Sequence, residues 1–174
     1  LRANRDYLRT VVRIFADRSD VAGREMRERR RDAALAAINA EESFQRLLGE
    51  HGGDSGVLAP VMTFLTYVRR FTVSIAALAV SRHAVDPPTA TVLEQFSAVA
   101  TRRLDDAAAH LGTPATDAPA PAVSWNPDVL GSPSLDPIVR ARLTRLSRQL
   151  DTLVSSAEDV AALGSAELDA RRRS

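Results

Sequence analysis

Apolar residues in this chain recur at alternating intervals of three and four along five separate stretches. That period belongs to helices, and nothing in the chain alternates as a strand does. The spacing predicts helices over 3–17, 21–50, 57–82, 90–111 and 136–163 of a single helical domain, 1–174. In the second helix Ala33, Ala37, Ala40, Phe44 and Leu47 form a seam in which small side chains let a neighbour approach closely. In the third, Leu58, Val61, Leu65, Val68, Thr72, Ile75 and Ala79 hold one stripe, widened by Phe64, Phe71 and Leu78, so this helix is expected to be the most buried. The fourth turns Leu93, Phe96, Ala100, Leu104, Ala107 and Leu111 inward. The fifth carries the cleanest heptads, Val139, Leu143, Leu146, Leu150, Leu153, Ala157 and Val160, which suit either bundle closure or pairing of two chains.

The breaks between these stretches have their own chemistry. Ser19-Asp20 offers a cap to the second helix, and Gly49 with His51-Gly52-Gly53 is read as its end. Pro60 fits a first turn and so sets the start of the third helix at Val57. Thr89 is read as the cap of the fourth helix and Gly112 as its stop. Residues 112–134 hold Pro114, Pro119, Pro121, Pro127 and Pro133, so no helix crosses them. Trp125 in this stretch is a candidate anchor on the bundle or a candidate partner contact. Asp136-Pro137 opens the last helix, Gly164 is read as its stop, and 165–174 as a polar tail. Short turns make the second, third and fourth helices expected antiparallel neighbours, while the long connection lets the fifth dock from either end. The fold class expected is all-α: an antiparallel up-down bundle of four to five helices with a long Pro-rich connection before the last.

Composition narrows the function. The chain has 174 residues, 45% hydrophobic and 26% charged, which suits a packed core. Its 23 basic and 22 acidic side chains leave a net charge of +1, which argues against a nucleic-acid partner. All the basic residues are Arg, and Cys is absent. The longest apolar run, Phe71 to Val80, is bounded by Arg69-Arg70 and Arg82-His83 and is too short to span a bilayer. No signal peptide is read, and the opening Leu1-Arg2-Ala3 reads as a piece of a longer protein or a processed chain.

Catalytic chemistry finds no foothold. His51, His83 and His110 stand in neither a Glu-x-x-His nor a His-x-x-x-His arrangement, so no metal or cofactor is implied. Asp106 and His110 are four apart and read as a surface pair near a helix C-terminus. The His51–Gly56 stretch lacks the Lys-Ser/Thr ending of a phosphate loop. Glu41-Glu42 and Asp105-Asp106 are sequence neighbours and diverge on a helix. The chain is therefore read as a non-enzyme.

Three stretches taken together carry a resemblance: Ala3-Asn4-Arg5-Asp6-Tyr7-Leu8; Asn39-Ala40-Glu41-Glu42-Ser43-Phe44-Gln45-Arg46-Leu47-Leu48-Gly49-Glu50; and Phe64-Leu65-Thr66-Tyr67-Val68-Arg69-Arg70-Phe71 with Ser74-Ile75-Ala76-Ala77-Leu78. They resemble the soluble C-terminal region of bacterial FUSC-family inner-membrane proteins, related to fusaric acid resistance and aromatic carboxylic acid efflux. The resemblance implies a cytoplasmic accessory domain on the inner face of that membrane. Its partner would be the membrane-embedded part of the same polypeptide, and its role assembly, gating or docking. The alternative is a free-standing helical ligand-binding or signalling module. Within these stretches Asn39, Glu42 and Arg46 form a polar stripe, and Arg69 and Arg70 interrupt a very apolar helix. A charge stranded there is costly, so Arg69 or Arg70 is expected to pair with Glu41 or Glu42. The functional variant has these arginines bind a small organic acid.

Overall fold

The computed structural model describes residues 1–16, 20–50, 55–81, 85–112, 127–131 and 135–173. Among the described residues it is all-α, with five helices: α1 (Arg2–Ala16), α2 (Asp20–Glu50), α3 (Ser55–Val80), α4 (Pro87–His110) and α5 (Pro137–Arg173). A short 3₁₀ turn, Pro127–Gly131, precedes α5. Trp125, His51, His83 and most of the Pro-rich connection lie outside the described residues.

The helices form a ring in the spatial order α2, α1, α4, α5, α3, closed by α3 against α2, with α1 also reaching across to α3. α2 and α3 are neighbours as expected. α4 is not packed beside α3, because α1 and α5 lie between them. One contiguous core runs through all five helices, from Tyr7, Leu8 and Val11 through Phe71, Ile75, Leu78, Leu93 and Phe96 to Leu143, Leu146, Leu150 and Leu153. The α5 heptads are thus consumed within the chain, and bundle closure rather than chain pairing is their role.

Contacts along the helices give their directions. Arg13 near the end of α1 bonds Glu25 near the start of α2, an antiparallel hairpin. Arg5 at the start of α1 meets Asp105 near the end of α4, again antiparallel. Between α4 and α5 the order is parallel: Thr89 meets Asp136 at both starts, and Arg103 meets Asp151 further along. The connection must therefore return along the whole of α4, about 36 Å for its 24 residues. The stretch from Gly112 to Leu135 is long enough to make that return.

Several boundaries differ from the expectation, each for a local reason. α4 begins at Pro87, not Ala90. Asp86 caps it by accepting from the Thr89 amide at 3.1 Å, and the two prolines fill positions whose amides have no partner. Thr89 is fully buried instead, and its hydroxyl accepts from the Asp136 amide at 3.3 Å. α3 begins at Ser55, so Pro60 sits in its second turn. α2 runs through Gly49 to Glu50, and α5 runs through Gly164 to Arg173 rather than giving way to a tail. Glycine weakens a helix without forbidding it. Gly112 does end α4, with φ of 78°, the left-handed conformation glycine favours. Asp136 caps α5 as expected, accepting from the Ile138 and Val139 amides at 2.9 Å each.

Burial departs from expectation most at α3. Seven of the 24 α3 residues whose burial is described are buried, against nine of 14 in α1. α1 is short and sits among three neighbours, whereas the outer half of α3 faces solvent. The segment Leu58–Val80 is 23 residues, long and apolar enough to cross a membrane; its 18-residue apolar stretch has mean hydropathy 1.3 and is 28% buried in the bundle. A core helix meets the same criterion. In the Pro-rich stretch Val129 and Leu130 pack against the core.

Candidate functional site

Because α3 is half uncovered, its apolar surface meets α2 and α5 in an open groove with a cavity volume of about 730 Å³. The floor is apolar: Phe44 from α2, and Met62, Leu65 and Val73 from α3. Three arginines stand around it, Arg69 and Arg70 from α3 and Arg145 from α5, against one carboxylate, Glu41. Thr66, Ser74 and Gln149 add polar groups to the wall. The Gln149 Oε1 is buried with no hydrogen-bond partner among the described residues, an acceptor whose burial is costly while it is unmet.

The six residues expected to form a polar network are only partly joined. Arg69 Nη1 lies 3.8 Å from Glu41 Oε1, which is the expected link between the second and third helices. The reason offered for it does not hold, because the Arg69 side chain is 74% exposed and Glu41 51%. At that exposure the contact is a loose surface pair of little stabilising value. Arg70 instead stacks over the Tyr67 ring at 5.3 Å from its centroid. Arg46 donates to the Ser43 hydroxyl at 3.2 Å, and Ser43 donates to the Asn39 carbonyl at 2.8 Å. Asn39 and Glu42 are exposed on the side of α2 away from the groove. In the highly charged first half of α2, Glu25 pairs with Arg13 and Arg29 with Asp32. Asp106 meets Arg102 at 4.0 Å, and His110 is exposed. Among the described residues no three metal-ligating side chains converge.

Two of the buried polar residues that sequence reasoning missed, Asn4 and Arg5, lie on α1. The Asn4 amide nitrogen donates to the Val68 carbonyl at 3.4 Å, and the Asn4 amide oxygen accepts from the Thr72 hydroxyl at 2.8 Å. Arg5, 7% exposed, bonds Asp6 and Asp105, each at 2.9 Å. Burial alone would lower the Arg5 pKa, but the hydrogen bonds and charges of Asp6 and Asp105 outweigh it and hold it above the ordinary value. Burial likewise raises the Tyr7 phenol, opposed in part by Arg30. Arg69 and Arg70 drew attention because they interrupt an apolar run. Asn4 and Arg5 are flanked by polar residues and give no such signal, since their burial is set by helices distant in sequence. Arg145, the third groove arginine, is likewise unremarkable within the charged α5. Searches against family models, curated proteins and solved structures return no match for the chain.

Proposed function

We propose that this chain is a helical ligand-binding domain whose α2–α3–α5 groove receives an amphipathic organic anion. The observation that carries the reading is the pairing of an apolar floor with three arginines and a single, loosely engaged carboxylate. Guanidinium groups bind carboxylates in a two-pronged geometry, and a floor of Phe44, Leu65 and Val73 favours a ring or short chain attached to the acid. The buried Gln149 acceptor adds a demand for a donor on the ligand or on a water it carries in. Titration calorimetry with 2-naphthoate and its neutral alcohol tests this. The acid binds and the alcohol binds about tenfold more weakly or not at all, the difference of one charge-assisted hydrogen bond. R70Q and R145Q each reduce naphthoate affinity by a similar factor. Equal binding of acid and alcohol, or no binding of either, overturns the reading.

In the setting that the FUSC resemblance implies, this groove belongs to the cytoplasmic accessory domain of an inner-membrane exporter of aromatic or other organic acids, where it serves assembly, gating or partner docking. What supports this setting is the resemblance of the three stretches alone; in the fold they are neighbours, with Asn4 bonding Val68 and Glu41 meeting Arg69. A free-standing binding or signalling module would use the same groove. The reading frame upstream of Leu1 separates the two. Membrane spans encoded there support the exporter, and an initiator Met directly before Leu1 supports the module.

A further inference from the structure

α2 has two faces, and the bundle uses one. Ala33 and Phe44 are buried and Ala37 and Ala40 half-buried on the side toward α1 and α3. On the opposite side Glu28, Arg31, Leu35, Ile38, Glu42 and Gln45 follow one another at intervals of three, four, three, four and three, and all are exposed. This is a second heptad seam, turned half a circle from the first by the helical period. Its two central residues, Leu35 and Ile38, are each 50% exposed, and Ala34 beside them is exposed and small enough to let another helix come close.

We propose that this outer seam is the interface between two copies of the chain, with their α2 helices packed antiparallel about a two-fold axis between Ala36 and Ala37. The charge pattern selects this partner and this direction. With that axis Leu35 meets the partner's Ile38, and Arg31 meets the partner's Glu42, so an apolar centre is flanked by two opposite-charge pairs. The positions beside the seam also agree: Asp32 faces the partner's Asn39, and Arg46 faces the partner's Glu25. A parallel pair would set Arg31 on Arg31 and Glu42 on Glu42, which repels at both ends. A two-fold contact needs a self-complementary patch, and α2 reads as one. The seam is one helix wide, so the interface belongs to the small class, under about 1,200 Å², and dissociates on dilution. The groove lies on the other side of α2 and stays open in the dimer.

The test is sedimentation velocity of the 174-residue chain over a dilution series, with far-ultraviolet circular dichroism as the check on folding. The wild-type chain is a reversible dimer. R31E and E42R each set two like-charge pairs across the axis and weaken association about tenfold. L35E abolishes it, and helicity is unchanged in all three because these side chains lie on the exposed side of α2. The double variant R31E/E42R exchanges the charges and restores association to near the wild-type value. A chain that stays monomeric up to about 100 μM, tighter than which a functional contact would bind, overturns the proposal. So does a dimer indifferent to R31E and L35E, or a double variant as weak as either single one.

Discussion

Asn4 holds α1 to α3 with both ends of one amide. Its nitrogen serves the Val68 carbonyl and its oxygen takes the Thr72 proton, at a point 3% exposed. Asn4→Ala removes both bonds, while the Thr72 hydroxyl keeps the Val68 carbonyl as an acceptor at 2.9 Å, so urea denaturation should show a loss of about 1–2 kcal/mol. Arg5 sets up a comparison of two substitutions. Asp105→Ala leaves a buried guanidinium with less compensation, whereas Arg5→Met replaces the charge with an apolar chain and leaves two carboxylates that water reaches. Arg5→Met should therefore be the milder of the two, by about 1 kcal/mol in the same measurement. Neither role could be read from the local sequence. The heptad stripes mark which residues are apolar and inward, but an Asn or Arg beside such a stripe becomes buried only when a helix sixty or a hundred residues away covers it.

At the scale of the element, helix ends separate what residue identity decides from what context decides. Gly112 adopts a φ of 78° and ends α4, while Gly49 lies inside the last turn of α2 with open space around its Cα. Gly112→Ala should cost about 1 kcal/mol through strain in the left-handed conformation. Gly49→Ala should raise stability by about 0.5–1 kcal/mol, because alanine fits that helical backbone and lowers the freedom of the unfolded chain. Thermal melts of the two variants would shift in opposite directions. The same contrast explains the misplaced ends of α2 and α5, since a glycine by itself does not state which conformation its neighbours will impose. Caps were more legible. Asp136-Pro137 opens α5 by the cap-then-proline rule, and Asp86-Pro87 opens α4 by the same rule, which the nearer threonine obscured.

For the whole molecule the decisive choice is the direction of α5. Parallel packing on α4 brings Arg103 to Asp151, which in an antiparallel pair would lie far apart. The chain has no native Cys, so R103C/D151C can be treated with a short bifunctional maleimide. A high yield of intramolecular cross-link, read as faster migration in denaturing gels, is expected for the parallel arrangement. R103C paired with I138C should give little. This direction also builds the groove, because it sets Arg145 and Gln149 against the uncovered face of α3.

The sequence by itself determined that the chain is five amphipathic helices, where most of them lie, and which stripe of each turns inward. Those properties follow from the period of apolar residues and from proline and aspartate chemistry within a turn or two. Only the tertiary structure decided that short α1 is more buried than apolar α3, that α5 runs beside α4 in the same direction, and that Arg69, Arg70 and Arg145 share one groove. These depend on which stripes meet, and any apolar stripe can pack against any other. The choice among them is made by contacts such as Asn4 with Thr72 and Thr89 with Asp136, which join residues remote along the chain.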